Sequence, residues 1–347
     1  MSAPQPTLTR PYEQRTPERV LDALASVGLY GDGRLLALSS YENRVYQIPL
    51  EEPVDGHTVV VAKFYRPGRW SDAQIAEEHG FAAELMAAET PVIGPLILQG
   101  ESLHHFGGFA FSVSPRRGGR PAELENFEVL EWIGRFLARI HSVGAQRPFV
   151  QRPALDLHSF GTEQRDWLLQ HQMIPLDVQS AWEKACAQAL ELIAQSPLGQ
   201  SSGEPPVRQL RLHGDCHPGN ILWTPVDAPN SAGPGPHFVD LDDARMGPAV
   251  QDLWMLLSGE RPQRAQQLSA LIDGYEQFRP FDPSELALIE PLRTLRLIHY
   301  SAWLARRFDD PIFPINFPWF GSSDYWKGQV QMLQDQAEAM QEAPLRV

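Results

Sequence analysis

Apolar positions change their spacing along the chain, and the changes mark the elements. Val20, Leu21, Leu24 and Val27 recur at helical spacing behind Thr16 and Pro17, a capping residue and a first-turn proline. Gly28 and Gly31 are expected to stop that helix. From about Leu35 to Phe64 the period shortens. Leu36, Leu38, Val45, Tyr46 and Ile48, then Val59, Val60 and Val61, read as strands, with Asp55-Gly56 as a hairpin turn. Ser71-Asp72 opens a helix that runs to about Ala87, before Thr90-Pro91. Ile93–Leu98 and Gly108–Val113 are two further strand candidates, so the order is β, β, β, α, β, β.

From Glu123 onward the spacing is mainly helical. Leu130, Ile133, Phe136, Leu137 and Ile140 make one apolar stripe, and a second helix spans roughly Val178–Ala194. SPLGQSSGEPP (residues 196–206) is a Ser/Gly/Pro linker. Short strands are expected at Val207–Leu212, Ile221–Trp223 and His237–Leu241, with DAPNSAGPGP as a hairpin connection between the last two. Three helices follow, over Val250–Ser258, Arg261–Phe278 and Ser284–Arg307. The aromatic, Pro-rich stretch FDDPIFPINFPWF then precedes a last helix near Ser323–Gln341. The layout predicts an α+β, bilobal kinase-like fold. A small antiparallel-sheet lobe with one main helix (residues 1–113) would cover the nucleotide. A large, mainly helical lobe (residues 114–347) would carry catalysis and acceptor binding.

Charge and cysteine content narrow the partners. The 347 residues carry 29 basic and 43 acidic side chains, a net charge of -14. That balance argues against general nucleic-acid binding, which needs a basic face. It suits a cationic acceptor, a basic patch on a partner protein, or simply a solvated acidic surface. The two cysteines, Cys186 and Cys216, have no CxxC spacing, which excludes a disulfide framework and a cysteine zinc site and fits a reducing compartment. The N-terminus has no apolar signal segment, and no stretch approaches 18 uninterrupted apolar residues. A cytoplasmic protein without membrane contact is expected, and, in the absence of any coiled-coil pattern, a monomer.

The strongest chemical signal is RLHGDCHPGNILW (residues 211–223). A strand ends at His213, Asp215 follows on a turn, and Asn220 comes five residues later, the HxDxxxxN arrangement of a phosphotransfer loop. An alcohol is a poor nucleophile until its proton has an acceptor. A carboxylate on the hydroxyl supplies one and orients the oxygen towards the γ-phosphorus. The neutral amide of Asn220 can add an oxygen ligand to a divalent ion without repelling ATP. A lone Asp215 could be only a turn carboxylate bonded to its own backbone, but the full string argues against that.

The second signal is FVDLDDARMGPAVQDLWML (residues 238–256). Asp240, at a strand end, is the first choice for a Mg²⁺ ligand, since this hard cation takes oxygen donors. Asp242 would share its side if the strand continues and is a possible second ligand. Asp243 and Asp252 read as structural, the latter holding the catalytic loop or capping a helix. The third signal is VVVAKFYRPGRW, where Lys63 closes an apolar strand and needs a phosphate or a carboxylate as partner. Glu77 and Glu78 lie on the next helix; Glu78 is preferred because it shares a face with Ile75, Phe81 and Leu85. SSYENRVYQI (residues 39–48) occupies the place of a nucleotide-covering loop but has no GxGxxG, so Ser39, Ser40 and amides up to Asn43 would meet the phosphates. His213, His217 and Cys216 could be read as a transition-metal cluster, but no helical HxxxH or HExxH pattern supports it. His104-His105 reads as a loop pair.

These residues carry a resemblance. HGDCHPGN, VDLDDA and PAVQDL are similar to the aminoglycoside phosphotransferase and choline kinase superfamily. SYENRVYQ, VAKFYRPGRW, EEHGFA, LRLHGDCHPGNILW, IEPLR and NFPW extend the likeness to the stress response kinase A (YihE/RdoA) family, from about residue 40 to 320. The resemblance implies a bilobal fold, ATP and Mg²⁺ as cofactors, and a bacterial serine/threonine protein kinase. It implies Asp215 as proton acceptor, Asn220 and Asp240 as magnesium ligands, Ser40 at the ATP site and Lys63 on the α- and β-phosphates. DFG, APE and an activation loop of the usual length are absent. A Ser/Thr acceptor in a protein is therefore the leading expectation and a small amino alcohol or aminoglycoside the alternative. A non-catalytic nucleotide-binding regulator is a third, opposed by the presence of Lys63, Asp215, Asn220 and Asp240.

Overall fold

A computed structural model describes residues 16–200, 207–225 and 233–347. The N-terminal tail, the 201–206 part of the linker and most of DAPNSAGPGP lie outside the described residues. Contacts divide the chain into two compact units. The first comprises the described residues of Met1–Glu123, Phe149–Arg152 and His217–Ala244, so it draws in segments from well beyond residue 113. The second comprises those of Leu124–Pro148, Pro153–Cys216 and Arg245–Val347.

The first unit opens with α1 (Pro17–Ser26), β1 (Leu36–Ala37), β2 (Arg44–Val54), β3 (His57–Phe64) and α2 (Asp72–Ala87). It continues with β4 (His104–Phe106), β5 (Phe109–Pro115), β6 (Arg120–Pro121), β7 (Ile221–Thr224) and β8 (Gly235–Phe238). The main sheet is antiparallel in the order β1-β2-β3-β5-β4. Alternation along β3 sends Val60, Ala62 and Phe64 into a core shared with Val20, Leu24, Ile48 and Phe111, and leaves Lys63 on the other face. Each buried Val, Leu, Ile or Phe of this core stabilises the unit by roughly 1.5–3 kcal/mol. Gly28, at φ +83, ends α1, and the Leu29 amide returns to Leu24 O at 3.0 Å. Gly31 lies beyond the helix and bridges to Leu50. Ser71 caps α2 as expected, and the structure adds a reciprocal bond from Gln74.

Ile93–Leu98 is not a strand. Pro91 and Pro95 lack donors, and single bonds from Ile93 N to Phe238 O (3.1 Å) and Leu96 N to Val113 O (2.7 Å) tie the segment down. The missing strand is β4, across the positive-φ Gly107-Gly108 turn from β5, so His104 and His105 are sheet residues.

The second unit is helical: α3 (Phe127–Gly144), α4 (Glu163–Gln170), α5 (Leu176–Gln195), α6 (Val250–Trp254), α7 (Arg261–Tyr275), α8 (Ile289–Ala305), α9 (Phe313–Asn316) and α10 (Ser323–Ala339). A two-stranded ladder pairs Leu210–Leu212 with Arg245–Gly247. α3 meets α7 at Gly134 and Gly274, where an added Cβ would strike the carbonyl oxygens of Leu271 and Glu131. The helix expected over Ser284–Arg307 is a 3-10 turn, Pro283–Leu288, followed by α8. α4 and α9 were not expected. No helix among the described residues is long and apolar enough to cross a membrane.

Candidate active site

In the first unit, β7 and β8 bring Asn220 and Asp240 to one end of a hairpin. Ile221 pairs with Phe238, and Val239 N donates to Asn220 O at 3.0 Å. The strand does not run on to Leu241. Asp240 adopts φ 61, ψ 65, a left-handed conformation uncommon outside glycine, and the chain turns into a 3-10 helix over Leu241–Asp243. Strand alternation therefore does not place Asp242 beside Asp240.

The three aspartates separate by burial. Asp242 is 3% exposed and is held by Lys63 at 3.1 Å, by Arg69, and by Asn43 Nδ2 at 3.2 Å. Asp243 accepts from Arg69 Nη2 at 2.9 and 2.8 Å. Asp240 keeps 48% of its side chain exposed, with Oδ1 2.7 Å from Lys63 Nζ. Burial opposes the charges on Lys63 and Asp242, but mutual attraction wins. The Asp240 and Asp242 carboxylates hold the Lys63 ammonium well above its ordinary range, and Lys63 and Arg69 hold Asp242 below its own. The half-exposed Asp240 and the Asn220 amide offer oxygen donors that could take a hard cation and leave positions for its other ligands. Asp242 is committed to cations of the protein itself.

Arg69, Arg152 and Asn43 complete this cluster. Arg152 donates from Nη1 and Nη2 to Asp242 O at 3.0 and 2.7 Å and lies over the Trp70 ring. Asn43 also accepts from the Arg66 amide at 3.1 Å. Arg69 and Asn43 lie inside RPGRW and SYENR, but neither spacing announces a partner more than 170 residues away.

Glu77 and Glu78 have different tasks. Glu77 accepts the amides of Val150, Gln151 and Arg152 at 2.6–2.8 Å and so ties the 149–152 segment to α2. Glu78 is buried near Lys63, yet no salt bridge joins them; the direct partners of Lys63 are Asp240 and Asp242. Burial pushes the Glu78 carboxyl up to about 7 despite the nearby Lys63 and Arg152 charges. Ser40 lies half-buried in the turn between β1 and β2.

In the second unit, Asp215 follows the Leu210–Leu212 strand through Gly214 at φ +84. Asp252 holds this loop. Its carboxylate accepts the amides of His213 and Gly214 at 2.9 Å each and bonds His141 Nε2 at 3.0 Å. His141 Nδ1 is 2.9 Å from the Tyr275 hydroxyl, so one neutral tautomer satisfies both contacts. Burial would raise the Asp252 pKa, but these donors hold it below the ordinary value. Gln251 Nε2 adds a 3.3 Å bond to Gly214 O. Arg296 Nη1, on α8, lies 2.8 Å from Asp215 Oδ1; no motif signalled this pair. Burial pushes the Cys216 thiol far up, so it stays neutral, unsuited to a transition metal.

Comparisons with known proteins give the family. The model of the phosphotransferase enzyme family (APH) matches residues 34–289. Stress response kinase A of Shigella flexneri is 43% identical over 331 residues, covering 95% of each chain. Serine/threonine protein kinase RdoA of Salmonella typhimurium (strain LT2) is likewise 43% identical over 331 residues, with 95% of each chain covered. In fold, the chain is similar to the solved amicoumacin kinase hAmiN in complex with AMP-PNP, Ca²⁺ and Ami. The TM-score is 0.70 at 19% identity, over 96% of this chain and 95% of that one. The family match over most of the chain and these relatives together make this chain a member of the phosphotransferase enzyme family.

Proposed function

We propose that the protein is a cytoplasmic serine/threonine protein kinase of the stress response kinase A type, using ATP with Mg²⁺ and Asp215 as proton acceptor. The observation that carries this reading is the loop clamp: a buried carboxylate, Asp252, spends its acceptors on the two amides just before Asp215. A loop held this firmly keeps a general base in one position.

In the proposed reaction, the acceptor hydroxyl oxygen bonds to the γ-phosphorus as the bond to the β–γ bridging oxygen breaks. Its proton passes to the Asp215 carboxylate, and ADP leaves. Asn220 and Asp240 would hold Mg²⁺, which supplies charge neutralisation on the phosphates. Lys63 exchanges part of its pairing with Asp240 for the α- and β-phosphates, and Glu78 stays close enough to steady its charge. Ser40 contributes at the phosphate side of the β1–β2 turn.

A small amino alcohol or aminoglycoside acceptor is the second reading, favoured by the net charge of -14. Incubation with γ-labelled ATP and Mg²⁺, using casein and myelin basic protein beside a panel of amino alcohols and aminoglycosides, separates the two. Label on serine or threonine of protein is expected. Saturable labelling of a panel compound, with none on protein, would reverse the choice.

A further inference from the structure

One face of α8 takes no part in the roles above. Arg296, Tyr300 and Trp303 follow at i, i+4 and i+7 and share a side of the helix. Arg296 is 39% exposed while it pairs with Asp215 at 2.8 Å. Tyr300, 40% exposed, stacks on Trp303 with ring centroids 5.7 Å apart. Trp303 meets Phe317 edge-on at 6.0 Å, and Phe317 meets Trp319 at 5.9 Å. Trp319 is 45% exposed. A guanidinium beside the proposed base is thus continued by a run of rings that reaches solvent, all within the second unit.

We infer that Arg296 and this aromatic run select the acceptor: a polypeptide with a carboxylate side chain next to its Ser or Thr and an apolar or aromatic residue a few positions on. The inference rests on the proposed protein-kinase reading with Asp215 as base. A guanidinium has five N–H donors in a planar fork, so beside its ion pair with Asp215 it has donors left for a second carboxylate. An ammonium or a basic flank would instead lie against a like charge, which disfavours it. The net charge of -14 is a sum over the whole chain, and charges at a distance are screened beyond about 8 Å at physiological salt. Close to Asp215 the cation of Arg296 sets the preference. Exposed aromatic rings next to such an anchor give an arriving apolar side chain a large, rigid contact.

Three peptides that share one Ser and a Phe four residues on, and differ only in Glu, Gln or Lys beside the Ser, test this. Steady-state kcat/KM is measured with γ-labelled ATP for the wild type, Arg296→Gln, Arg296→Glu and Trp319→Ala. The wild type is expected to prefer Glu over Lys by about tenfold, the worth of one charge-assisted hydrogen bond. Arg296→Gln should lose the preference and Arg296→Glu reverse it, a reversal that loss of structure cannot produce. Trp319→Ala should lower the rate on all three peptides, but not on versions with Ala in place of Phe. Equal wild-type rates on the three peptides, or an order unchanged in Arg296→Glu, would overturn the inference and leave the role of Asp215 standing. Asp215-dependent phosphorylation of an amino alcohol, with no peptide labelled, would remove the protein-kinase reading and the inference together.

Discussion

Asp252 and His141 form a hydrogen bond of 3.0 Å with both side chains fully buried. The same carboxylate carries the amides of His213 and Gly214. Asp252→Ala would leave two backbone donors and an imidazole without an acceptor. Breaking a buried charged network of this kind costs about 3–5 kcal/mol. Urea unfolding should show that loss, with Asp252→Asn, which keeps one acceptor oxygen, falling between it and the wild type.

Asp240 and Asp242 should respond in opposite ways. Asp242→Ala removes the carboxylate that Lys63, Arg69 and Asn43 share in the interior, and should destabilise by about 3–5 kcal/mol. Asp240→Asn keeps a residue that tolerates the left-handed backbone and loses only a half-exposed ion pair, worth about 0–1 kcal/mol. Its metal-supported turnover should nevertheless disappear. Melting temperature and turnover, measured on both variants, check the split.

Glu78 predicts a pH dependence. Its carboxyl is pushed up to about 7 from an ordinary 4.5. Between these values the folded protein holds a proton that the unfolded chain has released. The associated stability is fully present below about pH 4.5 and is lost as pH rises through about 7. Glu78→Gln is neutral throughout, so its melting temperature should gain on the wild type steadily from pH 5 to pH 8. A difference that stays constant over that range would contradict the raised pKa.

Gly134 predicts a packing failure. A methyl group there would collide with the Leu271 carbonyl of α7, which is backbone and cannot swing aside. Gly134→Ala should lower stability even though alanine favours helices by about 1 kcal/mol. Gly328 has nothing within 4 Å of its added Cβ, so Gly328→Ala should be neutral or stabilising. Comparing the two thermal melts checks the argument.

Local signals are legible where they are self-contained. The Ser71 start of α2 and the strand period around Lys63 each lie within a few residues. The sheet's edge is misleading in sequence because the apolar run Ile93–Leu98 contains Pro95 and follows Pro91, which cost it donors, while His104–Phe106 looks polar and is a strand. Asp240 breaks its strand through one backbone angle that no propensity announces. The roles of Arg69, Arg152 and Arg296 are not legible in the sequence for a different reason. Each finds its carboxylate or carbonyl partner 80 or more residues away in sequence, and an arginine in isolation reads as surface.

The central claim is that Asp215 takes the acceptor proton. The direct test is Mg²⁺-dependent transfer of the γ-phosphate from ATP to myelin basic protein or casein, wild type against Asp215→Asn, at matched nucleotide occupancy. The account predicts label on protein that falls by about 10²–10⁴-fold in the variant, with ATP binding retained. Full activity in Asp215→Asn would contradict it.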